Sequence, residues 1–303
     1  MRNLNLLYYK EYYDKLGNKG FKDDVIRKNE DLLGTRFDKK LEPPVKNCQS
    51  FMLKVLYPGL LIGSGLPHGA GDIGGSDDDI NMGFSFEYVT GQPFIPGSSV
   101  KGVLRSHFEH HAQAVAMILT KITKKEISAK NAENLLEKIF DNSDVFFDAV
   151  VCRADKNRKL LDYDYITPHS SQTKNPIPIR IIKVRPNVCF EFRFIVSDHT
   201  VDGITFSADN IIDLFKALLV SFGAGAKTNV GYGVFEEADD AFDEEVTDNP
   251  EEAFVQPKTK ADFNAKGAPE MIKCPHCNKE IFRYYKDSTD ERKKCYFCKK
   301  SLK

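Results

Sequence analysis

The chain has 303 residues, 41% of them hydrophobic, with 22 Phe, no Trp and a formal net charge of −1. That composition supports a real core in one large domain or a domain with attachments, and no run approaches the roughly 20 apolar residues of a membrane span. The stretch MRNLNLLYYKEYYDK lacks the apolar segment of a signal peptide, so a soluble, cytoplasmic protein is expected.

The small net charge hides an uneven distribution. Residues 236–252 carry ten acids and no Lys or Arg, whereas residues 256–303 carry 13 Lys and Arg against 6 Asp and Glu. The body before them is close to neutral, which excludes a uniformly basic nucleic-acid binder and makes any such site local.

In chain order, residues 1–47 are polar and aromatic. NLLYYKEYYDKL suggests a short helix in an N-terminal extension that packs on the body or on a partner. QSFMLKVLY (49–57) predicts a strand, LYPGLLIGSGLPHGAGDIGGSDDDINM (56–82) a glycine-rich loop, and GFSFEYV (83–89) an alternating strand. Pro96-Gly97 then marks a turn and Ser98 an N-cap, and Val100, Val103, Leu104, Phe108, Val115 and Leu119 form one helical stripe. DVFFDAVVCRA (144–154) and VCFEFRFIVSD (188–198) predict two core strands. Ser207 caps a helix, ADNIIDLFKALLVSF, that stops at Gly223, and VGYGVFEEA returns as a last strand. With the loop-borne 83–89 ribbon set aside, the order is strand, helix, strand, strand, helix, strand. That is the split βαββαβ pattern of a ferredoxin-like α+β fold. The expected divisions are an extension at 1–47, a core at 48–235, an acidic linker at 236–270 and a small C-terminal module at 271–303.

That module holds CPHC, seventeen residues, then CYFC. Two C-x₂-C knuckles at this spacing place four thiolates tetrahedrally around one Zn²⁺, with Cys274, Cys277, Cys295 and Cys298 as ligands. Four protein ligands leave no open position, so the expected site is structural. His276, inside the first knuckle, is expected to point outward. Cys48, Cys152 and Cys189 lie in strand-like or apolar contexts and read as reduced thiols.

Two segments offer anion-binding chemistry. In FIPGSSVKGVLRS, the N–H groups of a helix start, the hydroxyls of Ser98 and Ser99, and Lys101 and Arg105 four apart can meet a phosphate chain. The alternative is an ordinary capped helix with solvated cations. In SFGAGAKTNVGYGVF (221–235), four glycines permit either a tight reversal or close approach of N–H groups to an anion. Gly225, Lys227, Thr228 and Asn229 supply the loop and its donors, and Tyr232 offers a ring for stacking on a base. The segment is neither a Walker A loop nor a dinucleotide fingerprint, since its glycines follow a helix with the wrong spacing. HFEHH (107–111) puts His107 and His111 on one helix face without the HExxH order. Packed or solvated imidazoles are expected there, and likewise structural or RNA-contacting roles for His68 and His169.

Together, FIPGSSVKGVLRS and FGAGAKTNVGYGVF resemble the RAMP proteins (repeat-associated mysterious proteins) of type III CRISPR systems. With GLLIGSG (59–65), DYITPHS (164–170) and NPIPIRIIKV (175–184), they most resemble the subunit that ends the guide-RNA filament of the type III-B (Cmr) complex. The resemblance spans roughly residues 48–236 and leaves the zinc module and acidic linker outside it. It implies a ferredoxin-like, RNA-recognition-type core that binds the 3′ part of a CRISPR RNA by its backbone, through Ser98, Ser99, Lys101, Arg105, Gly225, Lys227, Thr228, Asn229 and Tyr232. It also implies target RNA and other RAMP subunits as partners, a role in antiviral defence, and no catalysis. The competing reading is a RAMP ribonuclease that uses Asp72, Asp77, Asp78 or Asp79 of the long loop, or the histidines.

Overall fold

The structure is a computed structural model. It describes residues 2–37 except 17 and 19, then 45–63, 65, 68, 80, 82–141, 144–155, 157–166 and 179–238, and the backbone of 270–273 and 280–283. The chain divides into two compact units, Met1–Val246 and Thr247–Lys303.

The first unit is built on a mixed layer of helix and sheet. Its strands are β1 (Gln49–Val55), β2 (Phe94–Ile95), β3 (Val145–Phe146), β4 (Ala149–Arg153), β5 (Leu161–Ile166), β6 (Ile179–Val184), β7 (Cys189–Ile195), β8 (His199–Val201), β9 (Ile204–Phe206) and β10 (Phe235–Glu237). Its helices are α1 (Leu4–Tyr9), α2 (Phe21–Gly34), α3 (Gly97–His110), α4 (Ala112–Thr123), α5 (Ala129–Phe140) and α6 (Ala208–Phe222). The central sheet runs β10-β1-β7-β4-β2, with β3 pairing β7. All its pairings are antiparallel. Chain order is therefore interleaved in space: the last strand and the third main strand flank the first. This is the arrangement that two crossed strand–helix–strand units produce.

Alternation sets the faces. Phe190, Phe192 and Phe194 of β7 are fully buried, and Phe194 packs 5.3 Å from Phe215 of α6. Phe51 of β1 stacks on Phe192 and Phe194, each with ring centroids 5.6 Å apart. α6 starts as expected: Ser207 and Asn210 form a reciprocal capping box, and Gly223, at φ 77°, closes the helix.

Four findings differ from the sequence reading. Residues 83–89 form no strand; Phe86 makes one bridge to Pro93, and the Glu87 carboxylate accepts from the N–H groups of Val89 and Thr90, which closes a turn instead. The single stripe from Val100 to Leu119 belongs to two helices, which break at His111 (φ −134°, ψ 36°). α3 begins at Gly97 with Pro96 as N-cap and no side-chain cap, so Ser98 lies in the first turn rather than at the cap. The segment expected as an extension supplies Leu4, Leu7, Tyr8, Tyr12, Val25 and Leu32 to the main core, all fully buried.

Three further elements were not anticipated. α5 starts on a Ser128–Asn131 capping box, and β5 and β6 form a separate hairpin. In the second unit, β11 (Glu270–Lys273) pairs antiparallel with β12 (Glu280–Arg283). No helix among the described residues is long and apolar enough to cross a membrane.

Candidate RNA-backbone interface

The glycine-rich loop between α6 and β10 is held by backbone meshing. Ala224 N–H donates to Gly233 O at 2.9 Å, Ala226 N–H to Leu61 O at 2.9 Å, and Gly233 N–H to Gly59 O at 2.8 Å. Glycine is required by this contact. A Cβ on Gly233 (φ 68°) would lie 1.8 Å from Ala224 O, and one on Gly225 (φ 92°) 2.6 Å from Leu61 O. The four glycines thus serve chain reversal and close backbone packing onto residues 59–61. What the loop presents outward is a short 3₁₀ turn, Thr228–Val230, entered by Lys227 in left-handed geometry (φ 60°, ψ 34°). Gly225, Lys227 and Asn229 are exposed and Thr228 is half-buried.

Tyr232 does not stand with them. It is 8% exposed, and its hydroxyl donates to Asp164 Oδ2 at 2.6 Å. Its ring is therefore packed away rather than offered to a base. Lys183, also 8% exposed, donates from Nζ to the same Asp164 oxygen at 2.7 Å. Burial raises the Tyr232 pKa well above its ordinary value, and the bond to Asp164 adds to it. For Asp164, burial acts upward, but the hydrogen bonds from Lys183 and Tyr232 outweigh it and the pKa falls below the usual carboxylate range. Sequence reasoning missed Asp164 and Lys183. The signal was a lysine inside the otherwise apolar strand IIKV, which needs a buried carboxylate partner.

The start of α3 is differently equipped from expectation. Gly97 N–H donates to Asp148 Oδ1 at 2.7 Å, and the N–H groups of Ser99 and Val100 both reach Pro96 O, at 2.8 and 3.0 Å. A carboxylate of the chain itself already sits at this positive helix end. Ser98 and Ser99 are exposed. Lys101 Nζ lies 5.6 Å from the Phe146 ring centroid. Arg105 pairs with Glu109 Oε1 at 2.8 Å and Asp141 Oδ1 at 3.0 Å, on an exposed surface where such pairs exchange readily.

The two segments do not converge. Gly97 follows Ile95, which pairs with Ala149 at the start of β4. The nearby β3 residue Phe146 pairs with Phe194, which pairs with Gln49 at the start of β1. The glycine loop instead leads into Val234, whose carbonyl accepts from Leu56, just past the end of β1. The start of α3 and the glycine loop are therefore separated by the length of β1, about 20 Å, and α3 runs back towards the loop, where His107 stacks on Phe222. Such an arrangement suits an extended polymer touched at intervals rather than a compact ligand in one pocket.

The histidines have packing roles. His107 and His111 both stack on Phe222, with centroids 4.4 and 5.0 Å away. His68 is buried, stacks on Tyr8 at 3.6 Å, and places its ring nitrogens 2.6 Å from Ile80 O and 2.9 Å from Tyr8 O. His169, the loop carboxylates at 72 and 77–79, and the four cysteines proposed as zinc ligands lie outside the described residues. β11 ends at Lys273 and β12 begins at Glu280, and these two residues pair. Cys48, Cys152 and Cys189 are free thiols. Burial pushes Cys152 up to about 12 and Cys189 up to about 11, so neither is a reactive thiolate.

Comparison with known proteins gives a consistent family. The profile of the RAMP superfamily matches residues 52–236. The CRISPR system CMR subunit Cmr6 of Saccharolobus solfataricus is 29% identical over 166 residues, 52% of this chain and 49% of that protein. The chain thus matches about half the length of that curated relative. A solved structure of the type III-B Cmr-beta bound to cognate target RNA aligns with a TM-score of 0.44 at 21% identity, over 78% of this chain and 70% of that one. The crystal structure of Cmr6 from Pyrococcus furiosus aligns with a TM-score of 0.40 at 18% identity, over 63% of this chain and 98% of that one.

Proposed function

This chain belongs to the RAMP superfamily, and on that premise we propose that it is a non-catalytic RNA-binding subunit of a type III-B CRISPR (Cmr) ribonucleoprotein effector. In this reading its ferredoxin-like core holds the 3′ part of a CRISPR RNA by the backbone, next to other RAMP subunits, and caps their filament for recognition of target RNA in antiviral defence. The observation that carries it is the turn Lys227–Thr228–Asn229, with Lys227 and Asn229 exposed, set on a loop whose position is locked by backbone contacts to residues 59–61. Cation, hydroxyl and amide donors in that turn suit phosphate and ribose without reading sequence. Ser98, Ser99 and Lys101 at the start of α3, about 20 Å away along the sheet, supply a second contact to an extended strand, with Arg105 farther along the same helix. The partner chemistry agrees with the curated relative, which is a CMR subunit.

The ribonuclease alternative through histidines is disfavoured by geometry. His107 leans on Phe222, and burial with the neighbouring His111 lowers its pKa to about 4, which leaves it a weak base inside a packed contact. The zinc reading is part of the same proposal: Cys274, Cys277, Cys295 and Cys298 would hold one structural Zn²⁺, and the hairpin that frames residues 274–279 supports it.

The test is recovery of the tagged full chain from its native host, with bound RNA sequenced and bound proteins identified. Short RNAs with one fixed 5′ end and variable 3′ ends, together with RAMP partners, support the proposal. A solitary chain without RNA overturns it. Incubation of the purified chain with RNA and Mg²⁺ separates the alternative: specific fragments that vanish with EDTA or with Asp78→Ala would make it a nuclease.

A further inference from the structure

We propose that Asp164, Tyr232 and Lys183 form a clasp that positions the glycine-rich loop for RNA, so that Tyr232 acts on binding through Lys227 rather than by touching RNA. The inference rests on the RNA-binding reading above and assigns a role to three residues that reading does not use.

Asp164 and Lys183 lie on β5 and β6, where Asp164 pairs with Ile181 and Asp162 with Lys183. Tyr232 lies on the returning limb of the glycine loop, 68 residues from Asp164 in sequence. One carboxylate oxygen, Asp164 Oδ2, accepts from both Tyr232 Oη at 2.6 Å and Lys183 Nζ at 2.7 Å. Leu61, Ile181 and Tyr232 form a small core of their own, separate from the main one. The same three segments meet again through backbone: Leu60 bridges Val184, and Leu61 O accepts from Ala226. The clasp therefore fastens the loop to the hairpin on one side while the glycines fasten it to residues 59–61 on the other.

Tyr232 lies outside the main core, whose aromatic layer lies between the central sheet and α6, whereas Leu60 and Ala224 of the glycine fastening belong to that core. What the clasp fixes is the limb just after Thr228–Val230. Lys227 is held in left-handed backbone geometry, which a non-glycine residue adopts only when its surroundings impose it. A lysine so held presents its ammonium with less conformational freedom to lose on binding, and preorganisation of this kind raises affinity without a new contact. The buried Lys183 ammonium explains why the clasp is not simply loose polar filling. Lys183 and Asp164 neutralise one another, and Tyr232 satisfies the remaining demand of the shared oxygen.

The experiment measures affinity of the full chain for single-stranded RNA over a salt series, for wild type, Lys227→Ala, Tyr232→Phe and the double variant. Each lost phosphate contact lowers the slope of log K against log salt by about 0.7 for a single strand. Tyr232→Phe keeps the ring and removes only the clasp hydroxyl. It is expected to weaken binding several-fold with the slope unchanged, because the Lys227 contact is still made at greater entropic cost, and the double variant is expected to be no weaker than Lys227→Ala alone. Wild-type binding by Tyr232→Phe, or losses that add in the double variant, would overturn the clasp while leaving the RNA-binding reading intact. Wild-type binding and slope for Lys227→Ala would overturn both. Asp164→Leu/Lys183→Met, which removes the partner of the Tyr232 hydroxyl without leaving the Lys183 ammonium unpaired, provides a second entry should Tyr232→Phe fail to fold. It is expected to weaken binding several-fold, and wild-type affinity counts against the clasp.

Discussion

The imidazole of His107 lies against the ring of Phe222, with centroids 4.4 Å apart and planes at 26°. The contact ties the end of α3 to the end of α6, just before Gly223 opens the glycine loop. His107 Nε2 is buried and has no hydrogen-bond partner among the described residues. Burial, and then the neighbouring His111, lower its pKa from an ordinary 6.5 to about 4. Between those two values the unfolded chain binds more protons than the folded one, so stability falls as pH drops through this window and is fully present above it. Discounted for partial exposure, the effect is about 1–2 kcal/mol. Urea unfolding at pH 7 and pH 4.5 checks it: the loss on acidification is expected to be smaller in His107→Phe, and equal losses would contradict the assignment.

Gly233 and Gly102 make a matched pair for the glycine loop. A Cβ at Gly233 would stand 1.8 Å from Ala224 O with φ at 68°, whereas a Cβ at Gly102 inside α3 meets nothing within 4 Å. Gly233→Ala is expected to destabilise the chain by about 1–3 kcal/mol from the backbone conformation alone, and more from the clash. Gly102→Ala is expected to stabilise it by about 0.5–1 kcal/mol, by removing glycine from a helix interior. Denaturant midpoints of the two variants should move in opposite directions.

At Asp24, as at Asp164, burial and charge oppose each other. Asp24 is 4% exposed, and Lys28, at 4%, stands 2.8 Å from it, with Arg27 at 2.6 Å and Lys15 at 3.1 Å. Burial acts to raise its pKa, but the hydrogen bonds from Lys28, Lys15 and Arg27 prevail and hold it well below the carboxylate range. A depressed carboxylate contributes stability above its unfolded pKa, near 3.9, and loses it as pH falls further towards its folded value. Asp24→Ala strands the Lys28 ammonium and is expected to cost about 3–5 kcal/mol at pH 7, measured by thermal or denaturant unfolding. A double variant Asp24→Leu/Lys28→Met, which removes both buried charges, should recover much of that loss.

The sheet was legible because alternation is a local signal. VCFEFRFI shows its buried Phe190, Phe192 and Phe194 at period two, and Ser207 with Gly223 brackets α6 in the sequence itself. The same local signal misled at 83–89, where alternating FSFEY is closed into a turn by the Glu87 carboxylate. The break at His111 carries no Gly or Pro; it coincides with a tertiary contact, the stacking of both imidazoles on Phe222. The α5 helix did carry a signal, the Ser128–Asn131 cap and the buried Ala132, Leu135 and Ile139. In the candidate site, Lys227 and Asn229 were readable from composition. The interior position of Tyr232 was not, because it depends on Asp164 in a hairpin 68 residues away.

The cysteine module offers the last test. β11 and β12 pair with Lys273 opposite Glu280, and the first C-x₂-C lies between them in sequence. In the proposed site the two C-x₂-C pairs, seventeen residues apart, would together supply four thiolates to one ion. Wild-type protein is expected to carry about one Zn per chain by elemental analysis, and Cys274→Ser/Cys295→Ser none. Because thiolate ligands must be deprotonated, metal loss should steepen as pH is lowered. RNA affinity of the zinc-free variant then separates two roles. Unchanged affinity and salt slope assign the module to structure or to a protein neighbour. A flatter slope assigns some of its basic residues to the RNA backbone.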